Sequence, residues 1–277
     1  MSRGVSGPSA RRRGSRAVNA LTLALAVCAP LVPAAAASPD AARGLAIARE
    51  MKARDRGFGN FTATMTMRLI DAGGGERLRQ LRTRTLEGAE GGDKLLAVFD
   101  APADVRGTAF LSHTRRDRAD DQWLYLPALK RVKRIVPANR TSPFMGSEFS
   151  YEDLASAEPE KFRHAYLDDE AVEGTPSFVV ERAPLDDESA YSRERLWIDQ
   201  ARYVPLKIEY YDRRGAKLKT LVAREYRQYL GRYWRATEVR MDNHQSGKST
   251  LLRWSEFRFR QPLNEQDFLP ASMARAR

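Results

Sequence analysis

The sequence predicts a mainly β (α+β) fold, with one helix leading into a long antiparallel meander or barrel, and three observations carry that expectation. Apolar and polar residues alternate from Phe61 to Leu69, the period of a strand with one dry face and one wet face. Strand-like runs then recur to the C-terminus, separated by compact turn signals such as Gly73-Gly74-Gly75, Gly91-Gly92, Asp212-Arg213-Arg214-Gly215 and Gln245-Ser246-Gly247. Only one long helical stretch precedes them, which argues against alternating βα units.

The first 37 residues read as an export signal. Arg3, Arg11, Arg12, Arg13 and Arg16 form a positive region, Val18 to Val32 an apolar one, and Ala34-Ala35-Ala36 a small-residue site, so cleavage is expected near Ala36 or Ala37. The apolar run is too short, and too closely followed by prolines, to make a convincing membrane span. Cys28 raises lipidation as a rival, but the bulky Val27 before it does not suit such a site. Removing residues 1–37 takes away five arginines and no acids, so the net charge falls from +11 to +6 and much of the basicity belongs to targeting. Residues 38–277 contain no Pro/Gly/Ser-rich linker and suit a single domain in the periplasm. They also contain no cysteine, which excludes disulfides and thiol catalysis.

Residues 40–56 form the helix: Asp40 can cap it, Leu45, Ile47, Ala48 and Met51 supply an apolar stripe, and Gly57 ends it. Phe61 to Leu69 is the first strand, with Phe61, Ala63, Met65, Met67 and Leu69 on its apolar face. Further strands are expected at 77–86, 95–99, 108–114, 123–126, 162–167, 177–182, 193–198, 206–211, 217–226, 233–241 and 250–259.

The stretch from Asp120 to Leu154 is the most informative. A short apolar strand (Trp123, Leu124, Tyr125, Leu126) ends at Pro127, a basic return follows (Lys130, Arg131, Lys133, Arg134), and a polar loop then carries Phe144, Met145, Phe149 and Tyr151. Pro137 and Pro143 keep that loop irregular. A loop with four large apolar or aromatic side chains needs something to cover them, either the core or a ligand.

The runs QWLYLPALKRVKRI and GSEFSYEDL, with DAPADVRGTAFL upstream, resemble the LolA-like outer membrane lipoprotein-sorting protein family of bacterial envelope proteins, over about Phe58 to Phe268. The resemblance implies a curved antiparallel half-barrel with a helical or loop lid over an apolar cavity, as in the carriers LolA and LolB. Cavity or lid candidates are then Phe61, Met65, Met67, Phe110, Trp123, Tyr125, Phe144, Met145 and Phe149, with the loop from Arg140 to Ser150 as a movable flap at the mouth.

Catalytic chemistry is hard to find. His113, His164 and His244 are far apart, none sits at metal-ligand spacing, and there is no GxSxG elbow. Gly247-Lys248-Ser249 lacks the upstream glycine of a phosphate loop, which is Asp242 here, and reads as a hairpin turn. Carboxylates cluster at 117–121, 148–153, 168–170 and 186–188 without calcium-loop spacing, as acidic surface turns do. No metal and no cofactor is expected. The cluster Lys130, Arg131, Lys133 and Arg134 either faces water or meets an anionic lipid head or an acidic partner; nucleic acid is excluded by export. Met65, Met67, Trp123, Trp197, Tyr210 and Met241 either fill a core or line an adaptable pocket.

The expected function is that of a periplasmic, non-enzymatic carrier. It binds the acyl chains of a lipid or lipid-modified protein, touches membranes transiently and works with an inner-membrane transporter. An envelope-lipid esterase and a non-carrying accessory protein of an envelope transporter are the alternatives.

Overall fold

The computed structural model describes residues 40–88, 92–116, 118–154, 156 and 158–276. The export signal, its cleavage site and Cys28 lie outside the described residues. Among the described residues no helix is long and apolar enough to cross a membrane.

Helix α1 (Ala41–Asp55) starts where the sequence places it, because the Asp40 carboxylate accepts a hydrogen bond from the Arg43 amide at 2.8 Å. It stops at Arg56, and Gly57 follows at φ 93°, a left-handed conformation that glycine adopts without strain. Gly44 has a different task. A Cβ built on it would stand 2.6 Å from the Tyr166 amide nitrogen, so the missing side chain lets the helix lie directly on strand backbone. Ile47 and Ala48 are buried there, and Met51 packs against the main core.

Thirteen strands follow: β1 (Asn60–Ile70), β2 (Glu76–Leu86), β3 (Lys94–Ala101), β4 (Ala109–His113), β5 (Asp121–Leu126), β6 (Arg131–Arg134), β7 (Phe162–Val172), β8 (Thr175–Pro184), β9 (Tyr191–Asp199), β10 (Pro205–Asp212), β11 (Lys217–Tyr229), β12 (Tyr233–Asn243) and β13 (Ser249–Phe259). They form one curved, unclosed antiparallel sheet in the order β6-β5-β4-β3-β2-β1-β13-β12-β11-β10-β9-β8-β7. Two simple meanders therefore stand side by side, joined where β1 pairs with β13 from Phe61↔Phe259 to Ile70↔Ser249. The fold is the half-barrel that the sequence implied.

Strand order dictates what covers the concave face. β6 and β7 are consecutive in sequence yet lie at opposite edges, so residues 135–161 have to cross the whole sheet. Polar contacts record the route. The Ile135 amide bonds Gln122 on β5, the Met145 carbonyl accepts from Arg79 on β2, and the Glu148 amide donates to Thr250 on β13. Further on, the Glu148 carboxylate takes Asn243 on β12, Asp153 takes Lys219 on β11, and the Pro159 carbonyl meets His164 on β7.

The alternating face of β1 (Met65, Met67, Leu69) joins Leu81, Phe99, Phe110, Leu124, Met241 and Leu252 beneath this crossing segment in one core. On the other face, turns at Glu265–Phe268 and Pro270–Arg275 bury Leu96, Val98, Ala109, Leu111 and Tyr125 under Phe268 and Met273. β3 and β4 are thus covered on both sides, which is why they read as continuous apolar runs and not as alternating ones.

Candidate functional site

The crossing segment is organised around Phe144. Its ring lies 5.2 Å from Phe110, 5.6 Å from Tyr151 and 5.9 Å from Phe99, between the sheet and the loop's own aromatic residue. Backbone closure holds it there. The Phe144 amide donates to the Phe149 carbonyl at 2.6 Å, with Met145 and Gly146 turning the chain at φ 50° and 76°. Phe144 and Phe149 are 1% and 4% exposed, so the apolar side chains of this loop are covered by the protein's own core.

Beside them an apolar cavity of about 270 Å³ remains. Its wall brings together six of the nine nominated residues: Phe61, Met65 and Met67 from β1, Phe110 from β4, and Phe144 and Phe149 from the crossing segment. Leu252, Trp254 and Phe257 on β13 and Val239 on β12 continue the sheet side of the wall next to Met65 and Met67. The other three nominations lie elsewhere. Alternation along β5 sends Leu124 into the main core and turns Trp123 and Tyr125 outward. Tyr125 is buried against the C-terminal turns, and Trp123 meets His113 edge-on at 4.9 Å. The Met145 side chain packs on the core without lining the cavity.

The four basic candidates are also apart from the cavity. Lys130 adopts a left-handed turn at φ 48°, and β6 is exposed throughout at the sheet's free edge. Arg134 there joins Arg115 and Arg118 around Asp121, and those guanidiniums hold its carboxyl well below the usual carboxylate range against the opposing effect of its burial.

Under the far end of the crossing segment the acidic run 148–153 departs from expectation. It reads as a solvated turn, but the Asp153 side chain is 2% exposed and faces a Lys219 side chain only 4% exposed. The Lys219 ammonium also reaches the Glu148 carbonyl at 3.1 Å, while the Tyr191 hydroxyl and the Ser150 amide donate to Asp153 at 2.8 and 2.6 Å. Next to this group Arg182 pairs with the buried Glu194 at 2.6 Å. Ser150 meets the Tyr191 hydroxyl at 3.3 Å, but burial pushes that phenol well above its ordinary pKa. A phenol that stays protonated is no base for a serine nucleophile. His113 and His164 bond the Phe268 and Pro159 carbonyls, while His244 meets the Thr220 hydroxyl at 2.7 Å. Among the described residues no group of three metal-ligating side chains converges.

Glu152 is the titrating member of this region. Burial first, and the neighbouring Asp153 second, raise its pKa to about 7, although the Ala190 amide donates to it at 3.2 Å. An acid raised in the folded state favours folding while protonated. Its contribution is full below 4.5 and is lost as pH rises through about 7. Glu152→Gln is expected to remove this component, so the difference between the parent and variant thermal midpoints should grow from about pH 5 to pH 8. A difference independent of pH would contradict the assignment.

Comparisons with known proteins agree with this architecture. A domain from Vibrio parahaemolyticus, described as belonging to outer membrane lipoprotein sorting, is 52% identical, superposes with a TM-score of 0.83, and is matched over 85% of this chain and 100% of its own. The chain belongs to the outer membrane lipoprotein-sorting protein family. A member of the DUF1329 family from Desulfovibrio piger is 28% identical, with a TM-score of 0.81 over 85% of this chain and 100% of its own. A LolA superfamily protein from Nitrosomonas europaea shares the fold at 21% identity, with a TM-score of 0.66 over 82% of this chain and 97% of its own. A family model described only as an uncharacterized protein matches residues 91–275. No curated protein matches the sequence.

Within this family fold, two features of the site escaped sequence reasoning. Arg235 is, among the described residues, the one charged residue on the cavity wall, and Lys219 is a buried cation beneath the crossing segment. Parity offered a signal for Lys219, which shares its strand face with Leu221 and Ala223. Arg235 carries the same signal, since it shares its strand face on β12 with Tyr233, Val239 and Met241.

Proposed function

We propose that residues 38–277 form one periplasmic carrier domain, exported by the segment 1–37, that holds acyl chains of a lipid or lipid-modified protein in the apolar cavity. The chains are moved between envelope membranes without covalent chemistry. The observation that carries this reading is the cavity itself: an apolar space between a curved sheet and a single segment that crosses it. The lipoprotein-sorting description of the 52%-identical Vibrio domain supports it.

Energetics add a partner. Each methylene withdrawn from water is worth about 0.8 kcal/mol, so burying ten contributes roughly 8 kcal/mol. Chains already in a bilayer gain little by the same transfer. Unassisted loading is therefore weak, and an inner-membrane transporter that supplies the chains is part of the proposal.

Native mass spectrometry of the protein taken from envelope extracts is expected to show bound lipid. Val239→Glu, which places a charge on a half-buried part of the cavity wall, should empty it while circular dichroism still reports the parent sheet. Equal occupancy in the folded variant would place the chains elsewhere, and a parent empty at every stage would end the carrier reading.

A further inference from the structure

The apolar cavity adjoins a second space. Arg235 and Ala236 line both, and the second, of about 460 Å³, lies beneath the last turn of α1. That second space has a different character. Lys52, Arg54, Arg202, Arg232 and Arg235 line it, against one carboxylate, Asp55. Three of these cations are held from behind by acids outside the lining: Lys52 by Glu158 at 2.8 Å, Arg54 by Glu50 at 2.7 Å and Arg202 by Asp199 at 2.6 Å. Arg232 bonds the Ala53 carbonyl at 3.5 Å and, among the described residues, forms no ion pair. Arg235, whose side chain is 14% exposed, stands over the Phe58 and Phe61 rings at 5.2 Å each and pairs with Asp55.

An apolar cavity sharing a wall with a cation-lined one has the outline of an amphiphile. We propose that the pair of cavities binds one amphiphile with an anionic head, its chain among Met65, Met67 and Val239 and its carboxylate or phosphate at Arg235 and Arg232. The inference rests on the carrier reading and adds to it the chemistry of the head. The carbonyl end of α1 alone would repel an anion, and the cations at and beyond its last turn outweigh that effect. Guanidinium suits the role because its planar fork meets two oxygens of a carboxylate or phosphate at once. On this arrangement the exposed basic hairpin at β6 is not the head site.

The test compares oleic acid, oleyl alcohol and oleoyl lysophosphatidic acid, equal in chain and different in head, as displacers of a fluorescent apolar dye from the whole protein at mildly alkaline pH. At least one anionic probe is expected to bind roughly tenfold more tightly than the alcohol, the worth of a charge-assisted hydrogen bond. Whichever anion leads identifies the head as carboxylate or phosphate. In Arg235→Gln the ratio of anion to alcohol affinity should fall close to one, and Arg235→Lys, which keeps the charge without the fork, should retain part of it. If Arg235→Gln does not fold, the exposed Arg232→Gln should still lower the ratio severalfold. Equal affinities for all three probes in the parent would overturn the inference and leave the carrier reading intact. Failure of all three to bind would overturn both.

Discussion

Lys219→Met is expected to lower the unfolding free energy by about 3–5 kcal/mol, one of the two largest single-residue effects foreseen in this chain. The size follows from what remains, not from what is lost. Asp153 would stay buried with Tyr191 and the Ser150 amide as donors and no counter-charge. In urea the midpoint should fall with the slope unchanged, since the surface exposed on unfolding is nearly the same. The double variant Lys219→Met/Asp153→Leu should recover most of the loss, because a buried pair replaced by apolar groups is close to neutral. A single variant within about 1 kcal/mol of the parent would mean that water reaches Asp153 in solution.

Phe144→Ala should cost a similar amount, about 3–5 kcal/mol, by the removal of a fully buried ring that leaves a hole among Phe99, Phe110 and Tyr151. That corresponds to a fall of roughly 10 °C in thermal midpoint. Because the ring is the main apolar anchor of the crossing segment, the damage should also be local. Amide exchange from 140 to 151 should accelerate well beyond any change in β1. Uniform acceleration across the chain would show that the segment opens only with the sheet. The parent's own pattern bears on the flap expected from the sequence, since protection there equal to that of β1 would make the segment permanent core.

Most of the strand pattern was legible because it depends on short-range alternation and turn chemistry. Met65 and Met67 could be placed on a dry face since Thr64 and Thr66 between them are polar. At β5 the same logic fails. Trp123, Leu124, Tyr125 and Leu126 are apolar at both parities, so nothing local tells which pair faces the cavity, and the answer depends on turns near residue 270 that cover the other side. Lys219 and Asp153 were hidden for a related reason. A charge is buried only when its partner arrives from elsewhere, and these two come from a strand and a loop 66 residues apart.

The crossing segment has a mechanical consequence that follows from its two attachment points. It ties one free edge of the sheet to the other as a bowstring ties the tips of a bow, and no strand pairing depends on it. The sheet can flatten only as far as this cord allows, and anything that pushes the sheet open must also part the cord from its contacts with β2, β11, β12 and β13. On the carrier reading proposed above, this segment, more than the composition of any strand, then sets the largest cargo that the arch can enclose.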